Sequence, residues 1–303
     1  MDDLAVTAGA VTDSNLPLDG ALGELTLSEF MTLWRETDLI IPLKLVGANP
    51  YEPGFIGAVR GTWGQYLLDE EAKGCDRAHH LLNIVFRQRL PALPQGGMIA
   101  RPIVFETDVL NTANLIIRVR FFGFGDSLVN AVAESLPAAL ARGVWIRGHR
   151  FRVQVQELSL SRVEGLEWEA ALPPNDLLTV HFDSPYVTGA HHSSPNPVAL
   201  LDSLTRRVCG LCRWHGFELI TDPNWKKEIH DASIDASALT LQSWLRHTNR
   251  NETRRSIVMI GFSGRLVLSN PPDKLVQLIV FGARCHAGAR TSFGLGRYHM
   301  AIV

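Results

Sequence analysis

The sequence predicts an α+β fold built from two tandem ferredoxin-like (RRM-like) domains. Three observations carry that prediction. The chain has 303 residues, 46% hydrophobic and 20% charged, which suits one large domain or two ordinary ones with a real core. Its periodic stretches run strand, helix, strand, strand, helix, strand, the split βαβ order. That order recurs after a stretch with two prolines at residues 164–176, "EGLEWEAALPPND". The repeat is in element order only, with no residue-level repeat. The expected domains are 37–165 and 176–303, with residues 1–36 as a leader and short helix.

Residues 1–23 are acidic and rich in small residues. They have no basic stretch ahead of an apolar run, so they do not read as a signal peptide; they read as a leader or a partner-binding tail. Residues 27–36 (LSEFMTLWRE) read as a short helix. "DLIIPLKLVG" (38–47) is an apolar run ending in glycine, hence a buried strand. A loop leads into the helix of "GFIGAVRGTWGQYL", and a further helix runs from Leu81 to Leu90, stopped by Pro91. "RPIVFET" (101–107) reads as a strand. In "NLIIRVRFFG" (114–123), Leu115, Ile117, Val119 and Phe121 alternate with Ile116, Arg118, Arg120 and Phe122, so one face is apolar and the other carries two arginines. Residues 126–143 read as a helix with Asp126 at its start and Gly143 just past its end. "HRFRVQVQEL" (149–158) alternates again.

The second half opens with a strand at 177–187. A helix at 196–216 is begun by Asn196 and Pro197 and closed by Gly216. Two strands follow at 239–248 and 254–270, the longer one bending at Gly261 or Gly264. A helix over 271–288 and a last strand in "FGLGRYHMAIV" complete the order.

Composition excludes several classes. A net charge of −2 argues against a generally basic nucleic-acid binder, though a local basic groove stays open. No run approaches the roughly 20 apolar residues that cross a bilayer, so no membrane is expected. The four cysteines (75, 209, 212 and 285) come without a secretory signal, which argues against structural disulfides and for a reducing cytoplasm. "CGLC" at 209–212 with His215 puts three ligand types on one helix. Zinc sites draw on loops and hairpins instead, so buried cysteines facing the sheet are the better reading, and neither a metal nor a cofactor is expected.

The most unusual stretch is the C-terminal "CHAGARTSFGLGRYHMAIV" (285–303), with Gly288, Gly294, Gly296, Arg290 and Arg297 close behind Arg284. Together with "GFIGAVRGTWGQYL" and "RRSIVMIGFSGRLVLSN", in that order, it resembles the CRISPR precursor-RNA-processing endoribonucleases of the RAMP superfamily. The resemblance covers residues 38–303. It implies a metal-free endoribonuclease that cuts CRISPR repeat RNA by attack of the ribose 2′-hydroxyl on the adjacent phosphate. The products would be a 2′,3′-cyclic phosphate and a 5′-hydroxyl. It also implies retention of the crRNA in an interference complex, with other effector subunits as partners. The alternative is a non-catalytic RAMP subunit that only holds guide RNA, which the near-neutral charge favours slightly.

Such chemistry needs a base, an acid and a cation or donor for the phosphorane. The family pattern, a histidine in this region with a tyrosine earlier on the helix, points to His79, His80 and Tyr66, with Lys73 or Arg60 as the cation. His191 and His192, in a loop of the second half, are the rival pair. His286 and His299 flank the glycine-rich loop; as a strand residue, His299 reads more readily as structural. Some relatives cleave with arginines, for which Arg60, Arg254, Arg255 and Arg297 are the candidates; an arginine can position and stabilise charge but is no simple base at neutral pH. For RNA binding the resemblance and the loop chemistry select Arg60, Arg254, Arg255, Arg284, Gly288, Arg290, Gly294, Gly296 and Arg297. The glycines would let the backbone approach phosphates closely. Arg206 and Arg207 could extend a basic patch, and Tyr186, Trp225 and Trp244 could stack bases, although such aromatics more often fill cores.

Overall fold

The computed structural model describes residues 22–46, 54–87, 100–111, 113–146, 149–166, 177–187, 194–221, 227–228, 231–250 and 253–302. The chain opens with strand β1 (Gly23–Leu25) and helix α1 (Leu27–Thr32). Thr26 and Glu29 cap that helix reciprocally, side chain to backbone in both directions.

The first half follows with β2 (Arg35–Val46), α2 (Phe55–Ala72), α3 (Asp76–Leu81), β3 (Ile103–Val109), β4 (Asn114–Phe122), α4 (Val129–Ala141), β5 (Val144–Ile146), β6 (His149–Val155) and β7 (Ser159–Glu164). Its sheet has the order β3-β4-β2-β6-β5, and β7 pairs with the first half of β2 where β6 pairs with its end. All of these pairings are antiparallel. A first strand flanked by the third and the last is the ferredoxin-like arrangement.

The second half repeats it with β8 (Leu177–Tyr186), α5 (Pro197–Trp214), β9 (Phe217–Leu219), β10 (Ser233–Asp235), β11 (Leu239–Arg250), β12 (Thr253–Ser269), α6 (Asp273–Cys285) and β13 (Tyr298–Ile302). The order is β10-β12-β8-β13, with β11 also on β12. Local chemistry sets these bounds. The Asn196 side chain accepts the Ala199 N–H, Pro197 begins α5, and Gly216 leaves it at φ 88°. The expected bend in β12 is a register shift between Phe262 and Gly264, with Gly264 at φ 119°.

Several sequence expectations are corrected. The helix expected over 27–36 ends at Thr32, and residues 35–36 already belong to β2. The helix expected from Leu81 begins at Asp76, because Gly74 at φ 84° breaks the chain after α2; it continues as a π-helix over Leu82–Arg87. Strands β1, β5, β9 and β10 have three residues each, too few to show a period.

The expected leader region is also part of the core from residue 27 onward. Leu27, Phe30, Met31 and Trp34 are all at most 5% exposed. Phe30 stacks on Phe281 of α6 at 5.1 Å, and Trp34 stacks on His215 at 5.1 Å while packing against Phe122 of β4. β1 pairs in parallel with β9 of the second half. The segment is therefore a wedge between the two halves, and buried residues of both belong to one continuous cluster.

His215 sits at the centre of this wedge. Its Nδ1–H donates to the Leu211 carbonyl at 2.9 Å and its Nε2 accepts the Arg35 N–H at 3.0 Å. Burial pushes its pKa down from 6.5 to about 4. The folded protein thus holds the neutral ring while the unfolded chain takes up a proton below pH 6.5. The His215 contribution is complete above that pH and is lost as pH falls toward 4, by at most ~1.4 kcal/mol per unit. Urea midpoints measured from pH 7 to 4.5 should fall more steeply for the native protein than for His215→Gln.

Candidate functional site

The glycine-rich stretch leaves α6 at Cys285 and enters β13 at Tyr298. Both ends and the middle of it bond to the first half of the chain, and the rest packs on the second. His286 adopts φ 65° and is wholly buried, with Nε2 3.0 Å from Glu106 Oε1 on β3. Burial pushes the imidazole toward its neutral form, which donates Nε2–H to the carboxylate. Burial alone would raise Glu106, but its bond with His286 and the charges of Arg120 and Arg297 hold it to about 2. Arg120 Nη1 donates to Glu106 at 3.0 Å and to the Arg284 carbonyl at 2.8 Å, and its Nε donates to Asp38 at 2.8 Å. Arg284 pairs with Glu36. At the far end of the loop, Arg297 donates to Asp108 at 2.7 Å and to the Thr107 carbonyl at 3.2 Å.

Arg60 on α2 fixes the middle of the loop. Its guanidinium lies between the Phe86 and Phe293 rings, 4.5 and 4.8 Å away, and donates to the Val85 and Ser292 carbonyls. At 2% exposure it faces the protein interior. The three glycines are likewise turned to protein. Gly288, Gly294 and Gly296 have φ of 82°, 73° and 75°. A Cβ would meet the Val187 carbonyl oxygen at 2.7 Å at Gly288 and the Phe105 carbonyl oxygen at 3.0 Å at Gly294, and would overlap the Ala287 carbonyl at Gly296. Leu295 and Phe293 pack with Met259 and Trp244 of the β11–β12 hairpin and with Val187. Arg290 is exposed, at φ 62°.

Arg254 and Arg255 lie near the tip of that hairpin, paired with Asn249 and Thr248; their side chains fall outside the described residues. His191, His192 and Trp225 also lie outside them. Tyr186 is core, with its ring against Phe182 and Phe262, and Arg207 is buried and donates to the Cys285 carbonyl. Cys212 and Cys285 are buried, and burial pushes Cys212 up to about 12. Among the described residues no three or more His, Cys, Asp or Glu side chains are grouped to hold a metal ion, and no helix is long and apolar enough to cross a membrane.

The first-half candidates sit on α2 and α3, among the helices. Tyr66 is half-buried with the Arg142 guanidinium 4.4 Å over its ring. It lines a cavity of about 160 Å³ with Glu70, Cys75, Arg77, Glu134 and Ser135. His79 is exposed, with Nδ1 2.6 Å from Glu71 Oε1 and Nε2 2.8 Å from the Asn83 side-chain amide. The hydrogen bonds of Arg87, and then of His79, hold Glu71 down to about 2. His80 is half-buried beside it.

A second group was not singled out as a unit by sequence reasoning. Arg265, His181 and His299 stand in one row across β12, β8 and β13, as register partners. The two imidazole rings stack at 5.2 Å and 10°. Asp183 Oδ1 is 2.8 Å from His299 Nδ1. The signal was present in "TVHFD": His181 and Asp183 are two apart, on the face opposite the buried Val180 and Phe182.

The two sheets, each with the ferredoxin-like strand order, meet across the glycine-rich loop. Residues 180–298 match the family model of the CRISPR-associated endoribonuclease Cas6. No curated protein matches the chain. Among solved structures, Thermus thermophilus Cas6 is 13% identical with a TM-score of 0.50, covering 88% of this chain and 99% of that one. The same protein as a product complex gives 14% and 0.50 over the same shares. Another Cas6 product complex is 23% identical with a TM-score of 0.46, again covering 88% and 99%.

Replacing Gly296 tests how firmly this loop is fixed. Gly296→Ala combines a left-handed backbone with overlap at the Ala287 carbonyl, and should cost at least ~2 kcal/mol in urea unfolding, with faster proteolysis inside 286–297.

Proposed function

We propose that the protein cuts CRISPR repeat RNA to mature crRNA without a metal ion, by attack of a ribose 2′-hydroxyl on the next phosphate. The products are a 2′,3′-cyclic phosphate and a 5′-hydroxyl, and the protein keeps its crRNA as a subunit of an interference complex. The observation that carries this reading is the family match over 180–298, which contains β8 from Val180 onward, the β11–β12 hairpin and the whole glycine-rich loop. The Thermus thermophilus protein of the same fold is described with its product bound, in keeping with retention.

In this reading the base and acid come from histidines, and Tyr66, His79 and His80 are the first-half candidates. RNA phosphates meet the exposed guanidinium of Arg290 and the arginines near the hairpin tip, Arg254 and Arg255. Arg60, Arg284 and Arg297 contribute by holding the loop in place, since their guanidinium groups bond to protein carbonyls and carboxylates.

Incubation with the repeat RNA of the protein's own CRISPR array in EDTA should give one cut, abolished by a 2′-deoxy substitution before the scissile phosphate. Tight binding with no cut would select the non-catalytic alternative. Arg290→Ala should weaken RNA binding about threefold to tenfold and lower the slope of log K against log salt by about 1, measured by filter binding from 50 to 300 mM salt.

A further inference from the structure

We propose that the far edge of the first sheet is a second RNA contact, where Trp145 stacks on an unpaired base and Lys44, Arg150 and Arg152 hold the phosphates around it; this rests on the endoribonuclease reading above. The site lies on β5, β6 and the end of β2. Trp145 is 53% exposed, whereas the other tryptophans among the described residues are buried or half-buried. Its neighbours Val144 and Ile146 pack into the core, so alternation puts the indole on the face of the sheet that lacks helices. Among the described residues no aromatic ring or guanidinium stacks on it.

The bases are placed around this indole by register. Trp145 and Arg150 are partners across β5 and β6, which sets their Cβ atoms about 5 Å apart on one face. Arg152 follows two residues along β6, and Lys44 of β2, the partner of Gln154, lies diagonal to it at about 7–8 Å. All three cations are exposed, and none makes an ion pair among the described residues. Arg118 and Arg120, on the same face nearer the glycine-rich loop, are each paired with carboxylates. The cross-strand neighbours of Lys44 are the neutral Asn114 and Gln154. A single exposed tryptophan is ordinary. Three uncompensated cations beside one, in a chain of net charge −2, complement a single-stranded polyanion with flat bases. An acidic peptide would meet the cations alone; the indole adds a stacking surface that any unpaired base can use.

The position relative to the glycine-rich loop fits the same reading. Glu106 and Asp108 of β3 hold that loop through His286 and Arg297. The order β3-β4-β2-β6-β5 puts Trp145 four strands away, or about 19 Å across the sheet. Between the two places the open face carries Ile116 and Pro42, half-buried register partners, with Asp108 opposite Ile116 on β3. An RNA strand that passes Arg297 thus crosses uncharged ground before it reaches Lys44. Stacking needs a base outside a duplex, so this site takes an unpaired segment of the RNA and tolerates its sequence. No bond is made or broken there; the site adds affinity.

Fluorescence anisotropy with a labelled oligouridine of about 12 nucleotides tests the proposal. Trp145→Ala should weaken its binding about fivefold to tenfold, and Trp145→Phe should keep most of it. Lys44→Ala, Arg150→Ala and Arg152→Ala should each lower the slope of log K against log salt by about 0.7. The single-turnover rate of Trp145→Ala on saturating repeat RNA should stay within about twofold of the native rate. Native oligouridine binding in all four alanine variants overturns the RNA site and leaves this surface to a protein partner. An equal loss for a blunt RNA duplex and for oligouridine overturns the stacking contact. Either result leaves the endoribonuclease reading standing if the native protein still cuts the repeat RNA. A native protein that neither cuts the repeat nor binds oligouridine overturns both.

Discussion

The fold depends on a buried pairing of charges. Strand β4 turns Arg118 and Arg120 to the face of the first sheet that lacks helices, and β2 and β3 bring Glu36, Asp38, Glu106 and Asp108 to the same face. With Arg120 4% and Glu106 4% exposed, neither can be left without its partner; losing one member of such a pair typically costs about 3–5 kcal/mol. The second half completes the set with Arg284, His286, Arg297 and the carbonyl end of α6. Burial of this network and the aromatic wedge around Trp34 are therefore one event, and they fix how the two sheets meet.

Much of the fold was legible in the sequence because its longer elements carry clean signals. The alternation in 114–123, the Asn196-Pro197 start and Gly216 stop of α5, and the order of elements in both halves correspond to what the structure has. The wedge was not legible. Residues 27–36 look like a short amphipathic helix at the edge of a leader, and only the facing Phe281, His215 and Phe122, distant in sequence, show why their apolar residues exist. The same holds for the two arginines of β4. Alternation assigns them to one face but cannot say that the other half of the chain covers it.

The site was legible in a different way. The loop was picked out by its glycines and arginines, and its placement between the halves explains why it needs them. Arg60 looked like an RNA contact because it lies in "VRGTWG"; packing turns it inward between Phe86 and Phe293. His181, Asp183 and His299 were hidden because they come from strands 116 residues apart at Asp183 and His299. Pairing of β8 with β13 is a tertiary fact that no local pattern encodes.

The three glycines have a consequence for how relatives are recognised. Each is required by a neighbouring protein carbonyl, at Val187, Phe105 or Ala287, before any nucleic acid arrives. A glycine signature of this kind records how two halves close on each other. It would be the same whether or not a chain of this fold cuts RNA, so a shared loop certifies shared architecture, while catalysis has to be read from exposed side chains.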